Sequence, residues 1–275
     1  MLKVSHVTTY RYEFAARGMI QSLRMFPSVY DGQIVRDWSV RVETPEGPGI
    51  RGGSYRDGAG DKVESWSVRG PVSEVAVIVE GAVETKDLAG VLSGYREIVP
   101  PAVYLRDTGA FTRADARITE LAQEAMQGRN GALDIAHGLS EACSKAIEYR
   151  AGVTQASTTA AEAVALGGGV CQDHAHTIIA MARVAGLPAR YVSGYLFSGD
   201  TQHLASHAWA EAWIDGLWYC FDITNGMSRP QRHLKLAIGL DYLDACPVRG
   251  MRRGGGSEQM HARVYVSPHA LQTQQ

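Results

Sequence analysis

Residues 203–226 read HLASHAWAEAWIDGLWYCFDITNG, with Asp215-Gly216 standing between two runs rich in apolar and aromatic side chains. An Asp-Gly pair in that setting predicts a two-residue hairpin turn, because both central positions of the favoured turn need positive φ. The turn fixes a register. Ile214 faces Leu217, Trp209 faces Asp222 and His207 faces Thr224. Side chains alternate between faces along a strand, so one face carries Ala208, Ala210, Ala212, Ile214, Leu217, Tyr219, Phe221 and Ile223. All are apolar or aromatic, and this face is expected to be buried. The other carries His207, Trp209, Glu211, Trp213, Trp218, Cys220, Asp222 and Thr224. A slip of one residue would expose the apolar row. His207 and Asp222 thereby become diagonal neighbours on one face, about 7 Å apart at the backbone and within reach of a side-chain hydrogen bond. Glu211 lies further along the strand and Asp215 is used in the turn, so Asp222 is the carboxylate placed to orient His207.

A nucleophile for that histidine is offered by GGGVCQDHAHTIIAMARVAGLPARY. Ala175, Ile178, Ile179 and Ala182 form one apolar helix stripe, ended by Gly186 and Pro188. Cys171 precedes the stripe, in the first helical turn. Unpaired N–H groups at a helix N-terminus favour an anion there, whether a thiolate or the oxyanion of an attacked carbonyl. The glycines before it allow close approach of a substrate. No Gly-Lys-Ser/Thr follows, which excludes a phosphate loop. Cys171, His174, His176, His203 and His207 could be imagined around zinc. However, His174 and His176 point apart on a helix, no helical His pair four residues apart exists, and no second cysteine is near. No metal is expected, and His174 and His176 are expected on a partly exposed face or as supporting groups. Cys220 is a poor rival nucleophile: it faces Glu211, about 13 Å along the strand from the position opposite His207. Read from the residues alone, the trio Cys171, His207 and Asp222 competes with a surface hairpin bearing incidental polar groups.

The first 85 residues are strand-like. Leu2, Val4, Tyr10, Tyr12 and Phe14 share one parity, as do Trp38, Val40 and Val42, and Val75, Val77 and Val79. Turn-rich TPEGPG and RDGAGD separate such runs. This pattern predicts an antiparallel β-sandwich or barrel-like domain over residues 1–85. Residues 86–112, with Pro100-Pro101, read as a connector, and 113–275 as the second domain. There Ile118, Leu121, Ala122 and Ala125 make one helix face, and Leu133, Ala136, Leu139, Cys143 and Ile147 another. Thr159 and Glu162 fit a capping box on a short helix ended by Gly167. The class is α+β. The net charge of −2 carries no basic footprint for nucleic acid. No apolar run is long enough for a bilayer, the first residues lack the apolar core of a signal peptide, and four dispersed cysteines suggest a reducing, cytoplasmic setting.

GGGVCQDHAH, SHAWAEAWIDGLWYCFDITNG and LDYLDACPVRGMRRGGG, in that order and spacing, resemble the transglutaminase-like superfamily, and most closely its bacterial transglutaminase-like cysteine proteases. The N-terminal β region is similar to the β domain preceding the core in that family. The resemblance implies a papain-like core of helices on an antiparallel sheet, with Cys171 as nucleophile, His207 as base and then acid, and Asp222 as orienting carboxylate. It implies acyl transfer on amide bonds of a protein or peptide substrate, with no cofactor. Hydrolysis is the first expectation, glutamine transamidation the alternative within that chemistry, and a non-catalytic binding protein on the same fold the third. An open, wet cleft would favour water and a dry aromatic tunnel an amine, so Trp209, Trp213 and Trp218 bear on the choice. Trp209 is a candidate substrate contact, and the third block adds Tyr242, Arg249 and Arg253.

Overall fold

The computed structural model describes residues 1–95, 97–107, 109–197, 199, 206–226 and 230–268. The strands are β1 (Leu2–Leu23), β2 (Gln33–Thr44), β3 (Gly47–Pro48), β4 (Ile50–Arg56), β5 (Lys62–Thr85) and β6 (Val91–Leu92), followed by helices α1 (Ala116–Met126) and α2 (Ala132–Ala146). Then come β7 (Glu148–Tyr149), α3 (Ala160–Leu166), β8 (Gly168–Gly169), α4 (Cys171–Val184), β9 (Ala189–Leu196), β10 (His207–Ile214), β11 (Leu217–Phe221), β12 (His233–Gly239), β13 (Val248–Arg252) and β14 (Glu258–Pro268).

The fold is α+β, with an N-terminal antiparallel β region and a transglutaminase-like core. The β region is one seven-stranded sheet in which β1 and β5 are long and pair along most of their length. Their register shifts between Arg11 and Gly18, where Gly18 takes φ 148°. On one side of the shift β2 and β14 flank the pair; on the other, β4 and β13 do. The inward rows of both halves, Tyr10, Val75 and Val77 from one and Leu23, Trp66 and Val68 from the other, share a single core. The sheet is thus folded back on itself like a sandwich, in keeping with the alternation in β5: Val75, Val77 and Val79 are buried while Glu74, Ala76, Ile78 and Glu80 face the other way and are half-buried or exposed.

The second sheet has the order β12-β9-β10-β11-β6, antiparallel throughout. Helices α1 to α4 pack on one face, with Ile118, Leu139, Ile179 and the alanines of β10 in one core. The Asp215-Gly216 turn is present with φ 49° and 89°, and Ile214 faces Leu217 as the turn chemistry dictates. Thr159 and Glu162 form the predicted capping box on α3, and Gly167 adopts the left-handed conformation at its end.

Three features depart from the sequence reading. Residues 248–268, assigned to the second domain, return as β13 and β14 to pair with β1. Their alternation belongs to a strand partner far away in sequence, which local pattern cannot name. The connector is not a mere linker, because Val91-Leu92 adds a strand to β11. Finally, the second hairpin face is covered as well: Trp209, Glu211, Trp218 and Cys220 are buried beneath Tyr30, Leu92 and Tyr104. Leu217, expected inside, is partly exposed beside the turn. No helix among the described residues is long and apolar enough to cross a membrane.

Candidate active site

Cys171 opens α4, so its own N–H and that of Gln172 have no partner within the helix. The first turn is held by Asp173, whose carboxylate accepts from the Val170 N–H at 2.7 Å and from the Thr154 hydroxyl at 2.7 Å. Gly169 makes room for this: a Cβ there would lie 2.6 Å from the Asp173 carboxylate. His174 and His176 are buried, not half-exposed. One ring nitrogen of His174 meets the Ile147 carbonyl and the other meets the Thr224 hydroxyl, both at 2.9 Å. It therefore pins the nucleophile's helix to the segment that follows Asp222. His176 accepts from the Tyr242 N–H at 3.2 Å and stacks on Phe111; burial pulls its pKa down to about 3, so it stays neutral.

His207 begins β10 opposite Gly194 of β9. A Cβ on Gly194 would sit 2.2 Å from the Leu234 carbonyl and 2.8 Å from the Trp209 ring. Only glycine lets β12 and the indole close around the histidine. His207 Nε2 lies 2.8 Å from Asp222 Oδ2, and Cys171 lines the same cleft as the imidazole, near enough for the two groups to interact. With Nε2 engaged by the carboxylate, Nδ1 is the nitrogen left for the thiol. The diagonal pairing inferred from the hairpin is therefore present, and Cys171 is brought to it. Burial disfavours a charged imidazole, but the hydrogen bonds and charges of Asp222 and Cys171 outweigh it and raise the His207 pKa to about 9.

Asp222 is fully enclosed. Its Oδ2 also meets His233 Nε2 at 2.9 Å and the Asn225 side-chain amide at 2.8 Å, while Oδ1 accepts from the Asn225 N–H at 3.2 Å. Burial opposes its ionisation, yet hydrogen bonds from His207 and His233 dominate and hold it well below the usual carboxylate range. Sequence reasoning missed His233, which reaches Asp222 from the start of β12. It had no local signal. Asn225, three residues after Asp222, had none either. Trp209 stacks on His207 with centroids 5.9 Å apart and meets His233 at a 59° tilt, 4.7 Å away. Burial also pushes the thiol of Cys143 up to about 12 and that of Cys220 far upward, which removes both as rivals.

A protein from Mycobacterium leprae (strain TN), "Uncharacterized protein ML0607", is 30% identical over 279 residues, covering 97% of this chain and 98% of its own. Residues 119–223 match the family model "Transglutaminase-like superfamily", and residues 2–84 match "Bacterial transglutaminase-like N-terminal region". The chain belongs to the transglutaminase-like superfamily. "Uncharacterized protein Rv2569c" of Mycobacterium tuberculosis (strain ATCC 25618 / H37Rv) is 39% identical over 115 residues, 38% of this chain and 37% of its own. Among solved structures, one from Cytophaga hutchinsonii named "a Putative Cysteine Protease" superposes with a TM-score of 0.74 at 21% identity, over 98% of this chain and 91% of the other. That likeness concerns the fold.

In this superfamily member a cleft of about 790 Å³ opens over Cys171 and His207. Tyr242, a sequence candidate for substrate contact, lines it. The other three candidates are placed elsewhere. Trp209 is 2% exposed and lies behind His207, supporting the ring. Arg249 sits in β13 opposite Ser22, and the backbone N–H of Arg253 donates to Gly18. Neither arginine is among the described residues lining the cleft. Both belong to the strand return that the sequence did not reveal. His203 lies outside the described residues. His207, Asp222 and His233 present nitrogen and oxygen atoms within 4.8 Å of one another and could in principle hold a metal ion. Their N···O separations of 2.8 and 2.9 Å are hydrogen-bond lengths. Ligands on a tetrahedral zinc at about 2.0–2.1 Å would stand roughly 3.3 Å apart. As arranged, the three groups orient an imidazole.

Behind the site, Arg190 is wholly buried between the rings of Trp218 and Tyr95, 3.7 and 4.4 Å from their centroids. Two of its nitrogens reach Glu211 Oε2 at 2.8 and 2.7 Å, and a third reaches Glu97 at 2.6 Å. Lys235 pairs with the other Glu211 oxygen and with the Tyr95 hydroxyl. This network ties the 86–112 segment and strands β9, β10 and β12 together. Glu211, considered in sequence as a weaker partner for His207, is committed here.

Proposed function

We propose that the protein is a cysteine peptidase or amide hydrolase acting on polypeptide through Cys171, His207 and Asp222. The observation that carries this reading is the position of His207, which is bonded to buried Asp222 and shares one cleft with Cys171 at the start of α4. His207 holds the proton it has taken from the thiol, and Sγ, as the thiolate, bonds to the amide carbonyl carbon. The carbonyl oxygen becomes an oxyanion beside the unpaired Cys171 N–H at the start of α4. The C–N bond breaks and His207 returns the proton to the departing amine. Water then enters, His207 takes one of its protons, and the hydroxide displaces Cys171 from the thioester, which regains its proton. Asp222 stays ionised throughout and holds the ring in line. Hydrolysis is the first reading because Trp209, Trp213 and Trp218, the indoles that could have narrowed a tunnel, are absent from the described cleft lining; the aromatic groups there are Tyr149, Tyr191 and Tyr242.

The test is mass spectrometry of unfolded proteins incubated with a small primary amine and either wild type or Cys171→Ala. The expected result is new peptide ends with the wild type only. Amine-modified glutamines without cleavage would replace the reading by transamidation, and no change in either incubation would leave a non-catalytic binding protein.

The pH dependence has a defined sign. His207 must carry a proton to expel the amine, so kcat/KM should fall as pH rises through about 9. The same raised pKa contributes stability in full below the free imidazole value of about 6.5, and that contribution is lost as pH rises through the folded value. Asp222→Asn should move the alkaline limb downward from about 9, since one of its main supports is gone. Its rate should fall by up to about 10⁴-fold. A limb that stayed in place would show that Asp222 does not set the His207 charge.

A further inference from the structure

The cleft over Cys171 is walled by Tyr149, Tyr191, Leu196 and Tyr242 on the core side and by Val264 and Val266 of β14 on the other. Among the described residues lining it there is no Asp, Glu, Lys or Arg; His207 is the one group that carries charge. A charged side chain entering such a wall loses its water and gains no partner, which is costly, whereas an apolar one is drawn in. The second wall has a further property. Among the described residues, β14 pairs with β1 alone, so its other edge presents alternate unpaired backbone N–H and C=O groups. An extended chain can pair with such an edge while its side chains enter pockets beside it.

We propose that the cleft takes an extended polypeptide segment along the free edge of β14, with an uncharged, apolar side chain next to the attacked carbonyl. Val266, partly exposed on that strand, is a specificity-determining residue. The proposal rests on Cys171 being the nucleophile. It deepens that reading by naming the class of chain accepted.

Peptide chloromethyl ketones test it without requiring turnover: Sγ displaces chloride, a C–S bond replaces C–Cl, and the thiol proton passes to His207. Rates of Cys171 labelling, followed by mass spectrometry, would be compared for tetrapeptide probes ending in Leu, Glu or Lys, and for a Leu probe lacking the three preceding residues. The Leu tetrapeptide should react about tenfold or more faster than the Glu and Lys probes and than the short Leu probe. Val266→Lys should raise the rate of the Glu probe relative to Leu, and Val266→Glu that of the Lys probe. Equal rates for the three side chains, or for long and short probes, at a Cys171 that still reacts faster than Cys246 would overturn the proposal and leave the hydrolase reading standing. Labelling of Cys171 no faster than Cys246 by any probe would overturn both.

Discussion

Cys171→Ala and His207→Ala should each lower the rate of amide hydrolysis by about 10⁵–10⁶-fold, and the double variant should lose no more than either alone. Groups that act as one unit are strongly non-additive, because the remaining partner has nothing to serve once the first is removed. His207 has no proton to take without the thiol, and Sγ has no acceptor without the imidazole. The fold should survive both changes. Cys171 lines the cleft and is only partly buried, packing against the helical core from outside it, and the first turn of α4 is held by Asp173 and His174. Single-turnover rates on one peptide substrate, with thermal melts as a control, measure this. Independent, multiplying losses in the double variant would mean that the two residues act in separate steps, and the proposed relay would be wrong.

Glu211→Ala should be the most damaging single substitution for stability, at about 3–5 kcal/mol. Glu211 is fully buried and answers two cations at once, Arg190 and Lys235. Burial, aided by the charge of Arg190, already draws the Lys235 pKa down to about 8 against the pull of Glu211. Without the carboxylate, Lys235 can shed its proton. Arg190 cannot, and it is left with Glu97 as its one carboxylate partner. The midpoint of urea unfolding reads the loss. A companion variant, Arg190→Met with Glu211→Leu and Lys235→Met, removes all three charges and should recover much of the stability, since apolar groups of similar size replace buried ion pairs at little cost. An unfolding free energy for Glu211→Ala within about 1 kcal/mol of wild type, the worth of one hydrogen bond, would mean that the network is not a clasp.

The parts of this molecule that could be read from sequence are those governed by neighbours along the chain. The Asp215-Gly216 turn set the hairpin register, and that register alone put His207 and Asp222 on one face. The capping box at Thr159 and the helix start at Cys171 were equally local. What could not be read lies between distant segments. His233 reaches Asp222 only because β12 pairs with β9, and β14 supplies a cleft wall only because it pairs with β1. The alternation of Trp209, Glu211, Trp213 and Trp218 showed a face but not what covers it. That face turned out to be buried under Tyr30, Leu92 and Tyr104, which is why Trp209 packs behind His207 and does not line the described cleft. Arg249 and Arg253 were misplaced for the same reason: their strand partner is near the other end of the chain.

That return has a kinetic consequence. Leu2 pairs with Pro268 and Leu23 with Val248, so β1 cannot gain its second neighbour until nearly the whole described chain has left the ribosome. Contacts of such long sequence separation close slowly. In the interval, the apolar inner face of the first sheet and the bare edge of β1 stand open to other nascent chains. Helix α4 and the β10–β11 hairpin are assembled from nearer neighbours and can form in that window. Of the described cleft lining, the wall supplied by β14 comes last, so a chain stopped short of it would expose Cys171 in a cleft open on one side.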